Sequence, residues 1–128
     1  MNINLLRQIQ TKITEEPKQF RMSAFFSRGC GIPNCGTAAC IGGWAVALHN
    51  KMNPRDADRL FDSVMDPSID RNPCLILGLG LLESERLFHV GNWPSQFASD
   101  WEWAKTPEAM VKVACDRIDH FIATEGRE

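Results

Sequence analysis

Thr37-Ala38-Ala39-Cys40-Ile41-Gly42-Gly43-Trp44-Ala45-Val46-Ala47-Leu48-His49 is the stretch that decides the fold. It is apolar nearly all round and carries no formal charge. A helix of that kind has no face to offer water, so it belongs at the centre of a domain. Thr37 has the side chain of an N-cap, and the helix is expected over Ala38–His49. The run is too short for a membrane span, which needs roughly 20 apolar residues. Gly42 and Gly43 fall mid-helix, where each costs about 1 kcal/mol relative to alanine. Close packing of a crossing helix is expected to offset that cost, with Cys40, Trp44 and Leu48 inaccessible.

Outward from this helix, the chain reads as further short helices. Asn2 or Asn4 can cap a first helix ending near Glu16, with Leu5, Leu6, Ile9 and Ile13 on one face and Pro17 as its stop. Phe20 to Arg28 mixes aromatic and basic residues with no clear period, and fits a short strand or an irregular packed segment. Asn53-Pro54, Asn72-Pro73 and Thr106-Pro107 are three start signals, each a capping side chain followed by proline at the first helical position. Ala57, Leu60, Phe61, Val64 and Met65 give the first of these helices a buried stripe. The second runs through Leu77 to a break at Gly78 and Gly80, and Leu82 to His89 forms another. Gly91 to Lys105 reads as a loop pinned by Trp93, Phe97, Trp101 and Trp103, with at most a helical turn. Met110, Val113, Ala114, Ile118, Phe121 and Ile122 give the last helix its apolar face, and Gly126 ends it. The expected fold is all-α or nearly so: one domain over residues 1–128, a compact bundle of five or six short helices around the central one.

Composition agrees with a globular domain: of 128 residues, 44% are hydrophobic and 23% charged, enough for one core. Met1 to Glu16 lacks the basic-then-apolar order of a secretory signal. Five cysteines is an odd count at low density, which suits reduced thiols in a cytoplasm better than a disulfide framework. The net charge of −2 argues against nucleic acid as the partner. The distribution is informative: from Pro17 to Arg55 there is no acid, while Lys18, Arg21, Arg28, Lys51 and Arg55 are all cationic. Such segregation can mark a surface that faces an anion.

Cys35-Gly36-Thr37-Ala38-Ala39-Cys40-Ile41-Gly42-Gly43-Trp44-Ala45 resembles the C-G-T-x-x-C-I-x-G-W-A signature of a family of small, uncharacterised bacterial and bacteriophage proteins. Leu77-Gly78-Leu79, the Glu83 to Phe88 helix start, Trp93-Pro94 and the closing Arg117-Ile118-Asp119-His120-Phe121-Ile122 follow in the family's order. Gly80-Leu81-Leu82 departs from it, where such proteins more often place a polar cap. The resemblance implies a shared fold and a bacterial or phage setting, and it carries over no activity.

Three chemistries can be read at named residues. The first is anion binding by the backbone around Cys35, Gly36 and Thr37 at the expected helix start, with Arg21 or Arg28 supplying fixed charge. The second is cysteine catalysis, in which Cys35 just before a helix N-terminus would be a thiolate. It needs His89 or His120 folded back onto it, with Asp116, one turn before His120, as orienter. His49 is excluded because it lies nine residues past Cys40 on the same helix, roughly 13 Å away. The third is a partner surface at Trp101 and Trp103, which on a helix point about 200° apart, so that at least one can be exposed. Cys30, Cys35 and Cys40 are separated by four residues each, but a structural zinc site usually shows two tight pairs. No metal or cofactor is expected. The reading that follows is a non-enzymatic binding protein with a protein partner or an anionic small molecule, self-association left open. The cysteine-dependent hydrolase or transferase is the alternative.

Overall fold

The structure is a computed structural model that describes residues 1–22, 26–27, 38–57 and 72–128. It is nearly all helical. Helix α1 spans Ile3–Glu15, α2 Ile41–His49, α3 Pro73–Leu77, α4 Leu81–Phe88, α5 Ser95–Trp103 and α6 Pro107–Ala123. Residues 54–57 open another helix. Single 3₁₀ turns lie at Pro17–Gln19 and Val90–Asn92. Two short antiparallel strands, β1 (Phe26–Ser27) and β2 (Ala38–Ala39), pair Phe26 with Ala39 and Ser27 with Ala38.

Four of the expected caps form, while Thr37, expected to cap the central helix, lies outside the described residues. The Asn2 side chain accepts from the Leu5 amide at 3.1 Å, and Thr106 from the Ala109 amide at 3.1 Å. Asn53 accepts from the Asp56 amide at 2.9 Å, and Asn72 from the Cys74 amide at 3.0 Å. In each case proline or an apolar residue follows, so the donors left free at a helix start are met locally. Gly78 ends α3 at φ +66°, a left-handed conformation that favours glycine. A Cβ there would also meet the Met1 backbone nitrogen at 3.3 Å. The α4 helix opens at Gly80 without a side-chain cap.

The central helix is buried from Ile41 through Ala47. Helices α1 and α3 pack along it. Two expectations about it are corrected. It starts at Ile41 rather than Ala38, because the backbone of Ala38 and Ala39 is engaged sideways. Beyond β1, Phe20 bridges Ala39 in parallel, and the Arg21 amide donates to the Ala39 carbonyl at 3.0 Å. The cap is therefore Cys40, whose sulfur accepts from the Gly43 amide at 3.4 Å. Leu48 is only half-buried, since the last turn emerges from the core.

Residues 95–103 depart from the expected loop. Ser95–Trp103 is a nine-residue helix, and it buries Phe97. Its N-cap, Pro94, makes no side-chain cap bond, so the start carries no polar signal. Of the stripe expected after Pro54, Ala57 is buried; Leu60, Phe61, Val64 and Met65 lie outside the described residues.

Helix α6 buries Val111, Ala114, Arg117, Ile118 and Phe121, while Met110 and Val113 are half-buried. Its core face is thus turned slightly from the expected one and contains a charge. The Arg117 guanidinium donates to the Arg86 carbonyl at 3.0 Å and to the Glu128 carbonyl at 2.5 Å. It lies 5.8 Å from the Phe97 ring centroid and 5.5 Å from that of Phe121. Burial pushes its pKa down to about 10, still protonated at pH 7. Arg117 thereby ties the end of α4 to the C-terminal turn.

A polar edge joins α1 to α6. Gln10 donates to the Cys115 carbonyl and to Asp119, both at 2.9 Å, and Arg7 pairs with Asp119. The Gln10 hydrogen bond, followed by Arg7, holds the Asp119 carboxyl below its ordinary value.

Two stability predictions follow from these contacts. Arg117→Ala leaves two carbonyls unpaired and opens a cavity between phenylalanines, and should cost about 3 kcal/mol or more in urea unfolding. Arg117→Met, which keeps the apolar contacts, should cost clearly less; equal losses would show that the packing between the phenylalanines contributes nothing and that the lost hydrogen bonds carry the whole effect. A carboxyl with a depressed folded pKa stabilises above its ordinary value, and the contribution disappears as pH falls through the folded value. Asp119→Asn should therefore melt below wild type at pH 7, with the gap closing as pH falls below the ordinary aspartate value of about 3.9. The effect is small because the pair is exposed.

Candidate functional site

A cleft of about 960 Å³ opens between the turn Pro17–Gln19 with its continuation to Met22 on one side and the corner joining α5 to α6 on the other. That volume is at the upper end of the range for small-molecule sites. Trp44 sets the first wall. Its buried indole N–H donates to the Gln19 carbonyl at 3.0 Å, which fastens the Pro17–Gln19 turn to the central helix. Phe20 then enters the core and Arg21 joins β2 through its amide. Lys18, Arg21 and Met22 are left along the cleft.

Trp101 and Phe88 also line the cleft. The Trp101 ring is held edge-on by Phe20, with centroids 6.1 Å apart and planes at 89°, and by Trp93, at 5.6 Å and 77°. Such T-shaped contacts fix a ring plane. Trp93 is itself anchored, its indole N–H donating to the Leu87 carbonyl at 3.0 Å. His89 and Val90 follow Phe88 into the lining, and Lys105, Pro107 and Met110 belong to it as well. Lys105 donates to the Glu102 carbonyl at 3.0 Å, which positions its ammonium.

The lining therefore combines an aromatic surface with three cations, Lys18, Arg21 and Lys105, and the imidazole of His89. Among the described residues, none that lines it is acidic. This arrangement offers apolar area to the body of a ligand and charge-assisted hydrogen bonds to an anionic group.

Three residues singled out by unrelated arguments meet here: Arg21 as an anion ligand, His89 as a base and Trp101 as an aromatic anchor. Lys18, Phe20, Phe88, Lys105 and Met110 were not singled out as site residues. Lys18 lay within the acid-free segment, a usable signal; Lys105 had none, because its role depends on the corner between two helices.

The remaining candidates fall elsewhere. Cys30, Cys35, Gly36, Thr37 and Arg28 lie outside the described residues. The shift of the helix start to Cys40 removes the helix N-terminus from the immediate vicinity of Cys35 in sequence, and with it the argument that put an anion cradle or a thiolate there. Cys40 is buried, and burial raises its thiol pKa, so that it stays protonated as a cap. Asp116 pairs with Lys112 at 3.0 Å and does not orient His120. His120 meets a Glu128 carboxylate oxygen at 3.1 Å and packs against Phe97. Trp103 projects outward, 77% exposed, on the far side of α5 from Trp101. Among the described residues, no helix is long and apolar enough to cross a membrane, and no cluster of metal-ligating side chains occurs.

No protein-family model matches the chain, and no curated protein or solved structure matches it.

The tether from Trp44 can be tested directly. Trp44→Phe removes the donor and strands the Gln19 carbonyl, at a cost of about 1–2 kcal/mol. Hydrogen exchange at the Arg21 amide should accelerate more than at the Gly126 amide, which bonds the Phe121 carbonyl far along the chain. Uniform acceleration at both would mean that the indole supports global stability and not the cleft wall.

Proposed function

We propose that this chain is a non-enzymatic binding protein of a bacterial or phage-infected cytoplasm, and that it holds an anionic small molecule in the cleft between Lys18 and Lys105. The observation that carries the reading is the lining itself: cations from separate segments line an apolar, aromatic concavity to which no described residue contributes a carboxylate. Folding gathers these like charges around one concavity against their mutual repulsion, and an anion offsets that repulsion. The cysteine-dependent alternative loses support from the described partners of its acid and base, since Asp116 is paired with Lys112 and His120 with Glu128. A protein partner at Trp103 remains the weaker form of the binding hypothesis, because a single exposed indole is one anchor without a surrounding pocket.

The test is thermal unfolding in the presence of alkyl and aryl carboxylates, sulfonates and phosphate esters. A ligand that binds only the folded chain, at a hundred times its Kd, adds about 2.7 kcal/mol. That corresponds to a rise in Tm on the order of 5–10 °C for a domain of this size. At least one anion should produce it, and Lys18→Gln combined with Lys105→Gln should abolish most of it. An unchanged Tm across the whole panel, or an undiminished response in the double variant, would remove the cleft as the binding site.

A further inference from the structure

The cleft's chemistry narrows the ligand beyond its charge, on the reading just given that the cleft binds an anion. We infer that the ligand is a flat aromatic ring joined to a phosphate, by chemical class a nucleoside monophosphate. Two independent features of the lining point there.

The first is what the apolar lining is made of. Phe20, Phe88 and Trp101 supply its rings, and Met22 and Met110 its flexible side chains. Among the described lining residues there is no leucine or isoleucine, and Val90 is the only branched aliphatic side chain. A site for an alkyl chain is served by aliphatic walls that follow a bending chain. A site for a planar group is served by rings held still, and Trp101 is held by Phe20 and Trp93 in two T-shaped contacts. A fixed plane accepts a second plane by offset stacking without losing ring freedom that was never there. Methionine beside it adapts to the ring edge.

The second is the number and origin of the cations. One carboxylate is matched by one guanidinium. Here Lys18 and Arg21 come from the segment after α1, and Lys105 from the α5–α6 corner, so the cations of the lining belong to separate segments. A phosphate monoester carries about −1.5 to −2 charge at pH 7 and three strong acceptor oxygens, so it can be approached by cations from more than one side. The lysines act as point charges with free rotation. Lys18 has no hydrogen bond or ion pair among the described residues, and Lys105 spends one donor on the Glu102 carbonyl and keeps two.

The test is isothermal titration of the full chain with four probes: adenosine 5′-monophosphate, adenosine, inorganic phosphate and dodecyl phosphate. The expected result is binding of the nucleotide at least tenfold tighter than of adenosine or of inorganic phosphate. Dodecyl phosphate should bind more weakly than the nucleotide. Trp101→Leu should reduce nucleotide affinity at least tenfold. Lys105→Gln, at an exposed position where folding is not at risk, should reduce it several-fold and flatten its salt dependence. If dodecyl phosphate binds and the nucleotide does not, the ring is wrong while the anion-binding cleft stands. Adenosine binding as tightly as its monophosphate overturns the phosphate. Failure of all four probes overturns this inference, and the broader reading then falls only if the wider anion panel also leaves Tm unchanged.

Discussion

The hydrogen bond from the Trp44 indole to the Gln19 carbonyl is the point on which both the core and the cleft depend. Helix α2 is buried from Ile41 through Ala47, so its only tryptophan must bury its N–H as well as its ring. A buried donor without a partner costs about 1–3 kcal/mol. Gln19 supplies the acceptor because Pro17 stops α1 and sends the chain through a 3₁₀ turn across the central helix. From that fixed turn, Phe20 enters the core, Arg21 extends the short strand system and Lys18 stays at the rim. One satisfied N–H thus fastens the Pro17–Gln19 turn to the central helix.

The other end of the domain is organised around a charge. Arg117 is fully buried and sits where helical periodicity demands an apolar residue. It is tolerated because its stem and plane pack between Phe97 and Phe121 while its two terminal nitrogens bond the carbonyls of Arg86 and Glu128, only Nε being left without a partner. A hydrophobic side chain in its place would fill space but would leave those carbonyls bare. The arginine therefore specifies how α4, α6 and the final turn meet, a role that apolar packing alone cannot fill. Arg86 adds a second clamp by donating to the Gly126 carbonyl at 3.1 Å.

The cleft arises between these two organised regions. Its aromatic wall is continuous with the core through Phe20, Trp93 and Trp101, so the surface offered to a ligand is the outer layer of the packing that stabilises the fold. Such continuity keeps the wall rigid without a separate scaffold. The cations are not part of that packing. They come from a turn and a corner, where the stems of long side chains can cover apolar area.

Helix identity was legible wherever a local rule acts alone. Asn2, Asn53, Asn72 and Thr106 announce helix starts because their oxygens satisfy amides two or three residues away. The Leu5, Leu6, Ile9 and Ile13 face is visible because 3.6-residue periodicity belongs to the chain itself. What the sequence could not reveal depends on partners distant along it. Ala38 and Ala39 leave the helix because of backbone bonds from Arg21 and β1. Helix α5 lacks a polar cap, so its local pattern gave no start, and its Phe97 needs α6 to cover it. Arg117 reads as a surface residue until two carbonyls from other segments surround it. Composition and periodicity by themselves determined a small helical domain with an apolar helix at its centre. Tertiary structure alone decided that Lys18, Arg21, His89, Trp101 and Lys105 share one cleft, because they come from separate segments and are brought together only when those segments pack.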